Sequence, residues 1–408
     1  MDILPQHLTI LKQLCDTPTA PYYEGHVIAW LLDWAGQQSG RISVRRDGVG
    51  NVYLTYCHEV TTPPVLIEAH MDHPGFWVEA VLPDGTVRAR FRGGVKPTCF
   101  DGAYAKLWRN DLPADGTIRP VPARGHWVRA RILSASDPTD SRVHGEKSVL
   151  LQPDEPVAVN TIGMWDLPDA TIVDHLFMAR VCDDVAGVAA GVCLLETLLR
   201  NQTPAHVTVM ASRAEEVGFA GVLAALKHNW IGPVRCVIGL ETSKAHAQAR
   251  QGDGPIVRAG DRSLNFAPGL TRFIQLVATD LAKTDPGFSW QRKLMDAGSC
   301  NTSAFMAWGY DAAGITIPLG NYHNMHVDGH IGFGSTPTAG PEVGSESVDI
   351  RDFAGEVYLL TQVVQAMGRY DGSLTPWRES LDTMYETEQR ELLAKTSAGT
   401  ADFDKVQP

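Results

Sequence analysis

Apolar and polar positions follow two rhythms along this chain, and the switch between them divides it. Residues 5–37 carry apolar residues at helical spacing, clearest in VIAWLLDWA (27–35), with an interruption near Pro18 and Pro21. RISVRRDGVGNVYLTY (41–56) predicts two strands around a glycine turn, and the nearly continuous apolar run PPVLIEAH (63–70) predicts a strand buried on both faces. Residues 74–175 then hold only short β-like runs, such as FWVEAVLPDGTVRARF, AYAKLW, HWVRARIL and SVLLQ, broken by Gly, Pro and Asp. No long helix fits there. From Val181 the first rhythm returns. DVAGVAAGVCLLETLLR (184–200) predicts an amphipathic helix, HVTVMAS (206–212) a strand, AGVLAALKHN (220–229) a helix and VRCVIGLE (234–241) a strand. TSAFMAWG (302–309) follows as helix, AAGITIPL (312–319) as strand and RDFAGEVYLLTQVVQAMGRY (351–370) as a long helix.

Helices and strands alternating on both sides of a β block predict an α/β fold: a doubly wound mixed sheet flanked by helices, interrupted by an all-β, barrel-like insertion. The expected division is a discontinuous domain of residues 1–73 and 176–370, an insertion of residues 74–175, and a polar tail, 371–408, with a further helix near 376–395. At 408 residues the chain is long enough for such a division, and no internal repeat or low-complexity tract disturbs it.

Charge narrows the partners. A net charge of −12 offers no basic field for phosphates, which argues against nucleic acid. No apolar run reaches membrane-spanning length. The first residues, MDILPQHLTILKQLC, lack the basic and apolar regions of a signal peptide. The seven cysteines are scattered and form no CxxC pair, so buried free thiols in a reducing, cytoplasmic compartment are expected.

The chemistry concentrates at predicted strand ends. His70 closes the first buried strand and Asp72 lies two residues on, where its carboxylate could accept the imidazole N–H. Asp183 and Asp184, in CDDVAGVAAG (182–191), precede a helix, so capping is a competing explanation for either. Capping does not explain why Glu215 and Glu216, in RAEEVGFAG (213–221), recur one β-α unit later. Two adjacent glutamates point different ways, so one can bind metal while the other reaches a water between metals. Glu241 ends the next strand, and His323 follows the one after, with His326 and His330 nearby leaving the choice of histidine open. Carboxylates at buried strand ends are costly without cations, and so many oxygens with imidazoles suit a pair of divalent metals. HExxH, GxSxG, a phosphate loop and GxGxxG are all missing, which leaves serine-nucleophile and nucleotide readings without support.

With these motifs in hand, the chain resembles the glutamyl/TET-type aminopeptidases, a branch of the co-catalytic metallopeptidases, over most of residues 5–370. DGVGNVYL looks like the early glycine-asparagine turn, AHMDHPGFWV the first metal motif, CDDVAGV the bridging-aspartate motif and AEEVGFAG the glutamate pair. The resemblance implies a metallo-aminopeptidase-like fold whose β-barrel insertion often mediates subunit contacts, hence a homo-oligomer. It implies His70 and Glu241 on one metal, Glu216 and His323 on the other, and Asp183 bridging. Glu215 would be the general base and Asp72 would orient His70. Two divalent ions, zinc with cobalt or manganese as options, would activate water against peptides with a free N-terminus.

The chain departs from the family pattern in places. His73 stands where an acidic residue is usual, Glu241 and Asn301 where aspartate is usual, and a Gly/Pro-rich insertion fills roughly 325–345. These departures, expected close to substrate, keep a carboxypeptidase- or deacylase-like hydrolase of the same clan open. A non-catalytic scaffold is the third reading.

Overall fold

The computed structural model describes residues 3–110, 125–139, 141, 145–326, 343–372 and 374–396. Chain contacts divide it after Gly368. The larger unit is built on an eleven-stranded mixed sheet. Its centre is four parallel strands, in the spatial order Ala205–Ser212, Val65–His70, Cys236–Lys244 and Ala312–Gly320. Ser43–Arg46 and Val52–His58 extend it antiparallel on one side. Glu346–Asp349, Leu176–Ala179 and Thr171–Val173 extend it on the other, and Ile256–Gly260 with Gln291–Leu294 branch from Ala312–Gly320. These last two strands and the helix Pro268–Thr284 lie in a stretch to which the sequence pattern above assigns no element.

Two-residue alternation explains why the sheet is covered on both faces. Val209 points to one face, where Gly191 of the helix Val185–Asn201 lies so close that a Cβ would sit 2.8 Å from it. Met210, its neighbour, points to the other face and packs with Val222, Ala225, Leu226 and Phe305 of the helices Ala220–Lys227 and Asn301–Ala307. The helix Val185–Asn201 in turn packs on Pro5–Cys15 and Ile350–Ala366. With both faces covered, the central strands read as mostly apolar runs: every residue of Val65–His70 and Ala312–Gly320 is buried.

Between Val65–His70 and the rest of this sheet the chain forms a closed six-stranded antiparallel barrel. Its strands run, in order, Gly75–Val81, Val87–Arg92, Lys147–Pro153, Gly125–Ser136, Tyr104–Asn110 and Ile162–Trp165. The inside is dry and aromatic: Phe76 meets Phe91 at 4.8 Å and Trp165 at 5.1 Å between ring centroids, both nearly edge-on. Val87, Ala89 and Phe91 point in, while Arg88 between them is exposed. Each such buried side chain contributes about 2 kcal/mol. Residues beyond Gly368 form their own unit, with helical segments Thr375–Met384 and Arg390–Thr396 joined by a π-helical turn. No helix among the described residues is long and apolar enough to cross a membrane.

One buried group makes stability depend on pH. Glu356, on Ile350–Ala366, is fully buried and neither carboxylate oxygen has a hydrogen-bond partner. Burial, with Asp352 one turn earlier, pushes it up to about 8. The fold therefore keeps a proton that the unfolded chain releases near about pH 4.3. Stability from this residue is full below the unfolded value and lost as pH rises through about 8. Glu356→Gln should gain on wild type between about pH 5 and pH 8, by up to about 1.4 kcal/mol per pH unit, and hold a constant gap above that. Urea midpoints at matched pH read this; a pH-independent gap would show that Glu356 does not titrate in this range.

Candidate metal centre

The parallel strands deliver their ends to one place. His70 ends its strand in register with Ser212, and Glu215 and Glu216 follow directly. Glu241 lies on the strand at the other side of Val65–His70, opposite Thr316 of the strand that leads to His323. Asp183 stands just ahead of the helix Val185–Asn201, and its peptide to Asp184 is cis.

Both histidines are held alike. His70 sets Nδ1 3.1 Å from the Asp72 carbonyl, and His323 sets Nδ1 2.7 Å from the Gly94 carbonyl. A carbonyl only accepts, so Nδ1 carries the proton and Nε2 is left as a lone-pair donor. His70 Nε2 lies 3.7 Å from Asp183 Oδ1 and 3.6 Å from Glu241 Oε1. His323 Nε2 lies 3.6 Å from Asp183 Oδ2 and 3.1 Å from Glu216 Oε2. Asp183 thus offers one oxygen to each histidine. Two overlapping groups result, His70–Asp183–Glu241 and Asp183–Glu216–His323, each with its ligand atoms within 4.8 Å of one another.

These groups suit divalent cations. Asp183 Oδ1 and Glu216 Oε1 are buried without any hydrogen-bond partner. Without a cation, burial and the charges of Glu241 and Glu216 push Asp183 well above the usual carboxylate range. Burial likewise raises Glu215, against the pull of His70. Burial also opposes a charge on His70, yet Asp72 and Glu241 hold it well above its ordinary value. Glu241 is buried too, but its contact with His70 keeps it below the usual range. Carboxylates buried this closely together hold their charge at low cost only beside cations, and metal ions would supply that charge.

Asp72 does more here than its spacing suggests. The His70 ring lies nearer the Asp72 carbonyl, while the Asp72 carboxylate, 3.5 Å from Nδ1, accepts the backbone amides of Glu215 at 2.9 Å and Glu216 at 3.1 Å. His73 is fully buried and bridges the Asp183 carbonyl at 2.8 Å and Asn324 Oδ1 at 2.9 Å. Three further residues hold the backbone around the site. Glu346 accepts the amides of Cys182, Asp183 and His323 at 2.7, 3.0 and 2.8 Å. Glu24 accepts the amide of Ala214 at 3.0 Å and pairs with Arg213 at 2.6 Å. Asn51 accepts the Arg213 amide and donates to the Gly221 carbonyl, which gives the DGVGN turn its part in holding the glutamate loop. Gly221 is there because a Cβ would sit 2.5 Å from the Arg213 carbonyl.

Asn301, expected beside substrate, instead donates to Glu68 at 2.7 Å and Ser212 at 3.1 Å under the site, and it does not line the cavity. His326 belongs to neither ligand group. His330 and residues 327–342 lie outside the described residues. The cavity opening on the ligands is lined further by Lys244, Arg258, Met295, Cys300 and Tyr322.

Comparison with known proteins agrees with this architecture. Residues 50–329 match the model of the M42 glutamyl aminopeptidase family. A glutamyl aminopeptidase of Lactococcus lactis subsp. cremoris is 25% identical over 241 residues, 56% of this chain and 66% of that protein, just under two thirds of its length. A TET aminopeptidase from a marine sediment thaumarchaeote shares the fold with a TM-score of 0.69 at 17% identity, over 88% of this chain and 97% of the other. The TET1 peptidase of Pyrococcus horikoshii, which can assemble into a tetrahedron or a large octahedral shell, matches with a TM-score of 0.65 at 17% identity, over 88% and 99%. With the family match spanning more than half its length, the chain belongs to the M42 glutamyl aminopeptidase family.

Proposed function

We propose that this protein is a two-metal-dependent aminopeptidase that removes the N-terminal residue of a peptide. The observation that carries this reading is the Asp183 carboxylate set between His70 and His323. His70 and Glu241 would hold one divalent ion, Glu216 and His323 the other, with Asp183 between them; zinc suits this nitrogen and oxygen set, as do cobalt or manganese. Such ions, when bound, would lower the pKa of a water at the site and take up charge on the carbonyl oxygen. Glu215 accepts the proton of the water as its oxygen adds to the scissile carbonyl carbon, then gives it to the amine as the C–N bond breaks. Asp72 positions both glutamates through their backbone amides. The substrate's α-ammonium is attracted by the same carboxylates, which favours cleavage at the first residue.

The cavity also favours an acidic first residue. Its lining includes Arg258, 3% exposed with Nε unpartnered, and Lys244, which has no ion pair among the described residues. The Lactococcus relative's name, glutamyl aminopeptidase, agrees. In this reading residues 1–73 and 176–370 make the catalytic domain. The insertion, residues 74–175, caps the site through Gly94 and serves a homo-oligomer in the cytoplasm; neither nucleic acid nor membrane is a partner.

Metal-stripped protein should be inactive and regain cleavage of aminoacyl-p-nitroanilides, but not of N-blocked equivalents, on adding Zn²⁺, Co²⁺ or Mn²⁺. Cleavage of the blocked set alone would point to the deacylase or carboxypeptidase reading, and absence of both turnover and metal to the scaffold. Glu215→Gln should lower kcat by about 10²–10⁴-fold with metal content unchanged; turnover close to wild type would remove Glu215 from the base role. Glutamyl-p-nitroanilide should be preferred over leucyl, and Lys244→Met should lower kcat/KM about tenfold on the glutamyl substrate alone. An equal effect on both substrates would take Lys244 out of side-chain recognition.

A further inference from the structure

The chain turns abruptly where Ala312–Gly320 ends. Asn321, His323 and Asn324 have φ of 53, 56 and 60°, all left-handed. In an extended chain, neighbours point to opposite sides. Here the kink sets Tyr322 and His323 side by side, with ring centroids 3.7 Å apart and planes 21° from parallel. The turn is pinned on three sides. Asn321 donates to the Ser345 carbonyl at 2.8 Å, Asn324 to the Arg180 carbonyl at 2.9 Å, and the His323 amide to Glu346 at 2.8 Å. This conformation costs free energy that those hydrogen bonds offset, and its result is a tyrosine in the cavity wall beside the ligands.

The Tyr322 hydroxyl has no hydrogen-bond partner among the described residues. Its ring stacks on His323, and it lines the same cavity as Asp183, Glu215, Glu216 and Glu241. Those four side chains are acceptors. Both imidazoles spend their Nδ1–H on backbone carbonyls. Tyr322 is a neutral O–H donor in the cavity wall, fixed by its stack on the His323 ring. A carbonyl attacked by water gathers charge on its oxygen, and donors fixed in advance at that position lower the barrier.

We propose that the Tyr322 hydroxyl donates a hydrogen bond to the oxygen of the scissile carbonyl as it becomes an oxyanion. This makes Tyr322 a further catalytic residue. The inference rests on the aminopeptidase reading, because it needs a peptide carbonyl at the ligand cluster. It also separates two duties of one side chain: the ring buttresses His323, and the hydroxyl serves the reaction.

Tyr322→Phe keeps the ring and removes the donor. With the metal-loaded protein and an aminoacyl-p-nitroanilide that wild type cleaves, kcat should fall about 10²-fold while KM stays within about twofold. Metal content should not change. An α-aminophosphonate mimic of the tetrahedral species should bind weaker by a similar factor, while the free amino acid product inhibits as in wild type. Turnover within about twofold of wild type, a loss confined to KM, or loss of metal from the variant would each overturn the proposal. Active wild type with fully active Tyr322→Phe would sink this inference alone. Wild type that cleaves no free-amine substrate would instead sink the aminopeptidase reading, and the inference with it.

Discussion

The Asp183 carboxylate, placed between two imidazoles that each turn Nε2 toward it, is the constraint around which the site is organised. Burying one carboxylate is expensive, and this one is buried beside Glu215, Glu216 and Glu241. The fold meets that demand in two ways. It fixes the backbone of Asp183 from both sides, with Glu346 on its amide and His73 on its carbonyl. It also leaves oxygens without protein partners, as metal ligands must be. The parallel sheet makes this possible because its strands end together, so residues far apart in sequence converge without a dedicated scaffold.

Much of this was legible because burial on both faces leaves a plain trace. Val65–His70 and Ala312–Gly320 are buried throughout and mostly apolar, so a charged residue at or just past their ends stands out. Closure of the barrel was harder to read, since short alternating strands suit a sandwich as well. What could not be read were the supports. Glu346 and Glu24 act on backbone amides more than a hundred residues away, and no local pattern marks a carboxylate that will meet a distant N–H. Asn301 shows the reverse error: its position in the chain suggested substrate, whereas its partners are Glu68 and Ser212 beneath the site. The helix Pro268–Thr284 did carry a signal, with proline in its first turn and buried Leu270, Ile274, Ala278 and Leu281 at helical spacing.

His73 shows how a site tolerates a departure from a familiar motif. His73 is held off the metal ligands' own atoms and bonds instead to the Asp183 carbonyl and to Asn324, whose amide grips the Arg180 carbonyl. Each ring nitrogen of His73 faces an acceptor oxygen, so one side chain ties the Asp183 segment to the turn that holds Asn324.

Gly94 belongs to the barrel, yet its carbonyl orients His323 at the far end of the catalytic sheet. A residue of the candidate metal centre is thus aimed by a segment laid down more than two hundred positions earlier in the chain. During synthesis the barrel is complete before His323 emerges, so the last ligand arrives onto a finished template. The same dependence limits recombination. A lineage that exchanged this insertion for another of similar size would keep five of its six metal-side and base residues in place and still lose the tautomer of the sixth.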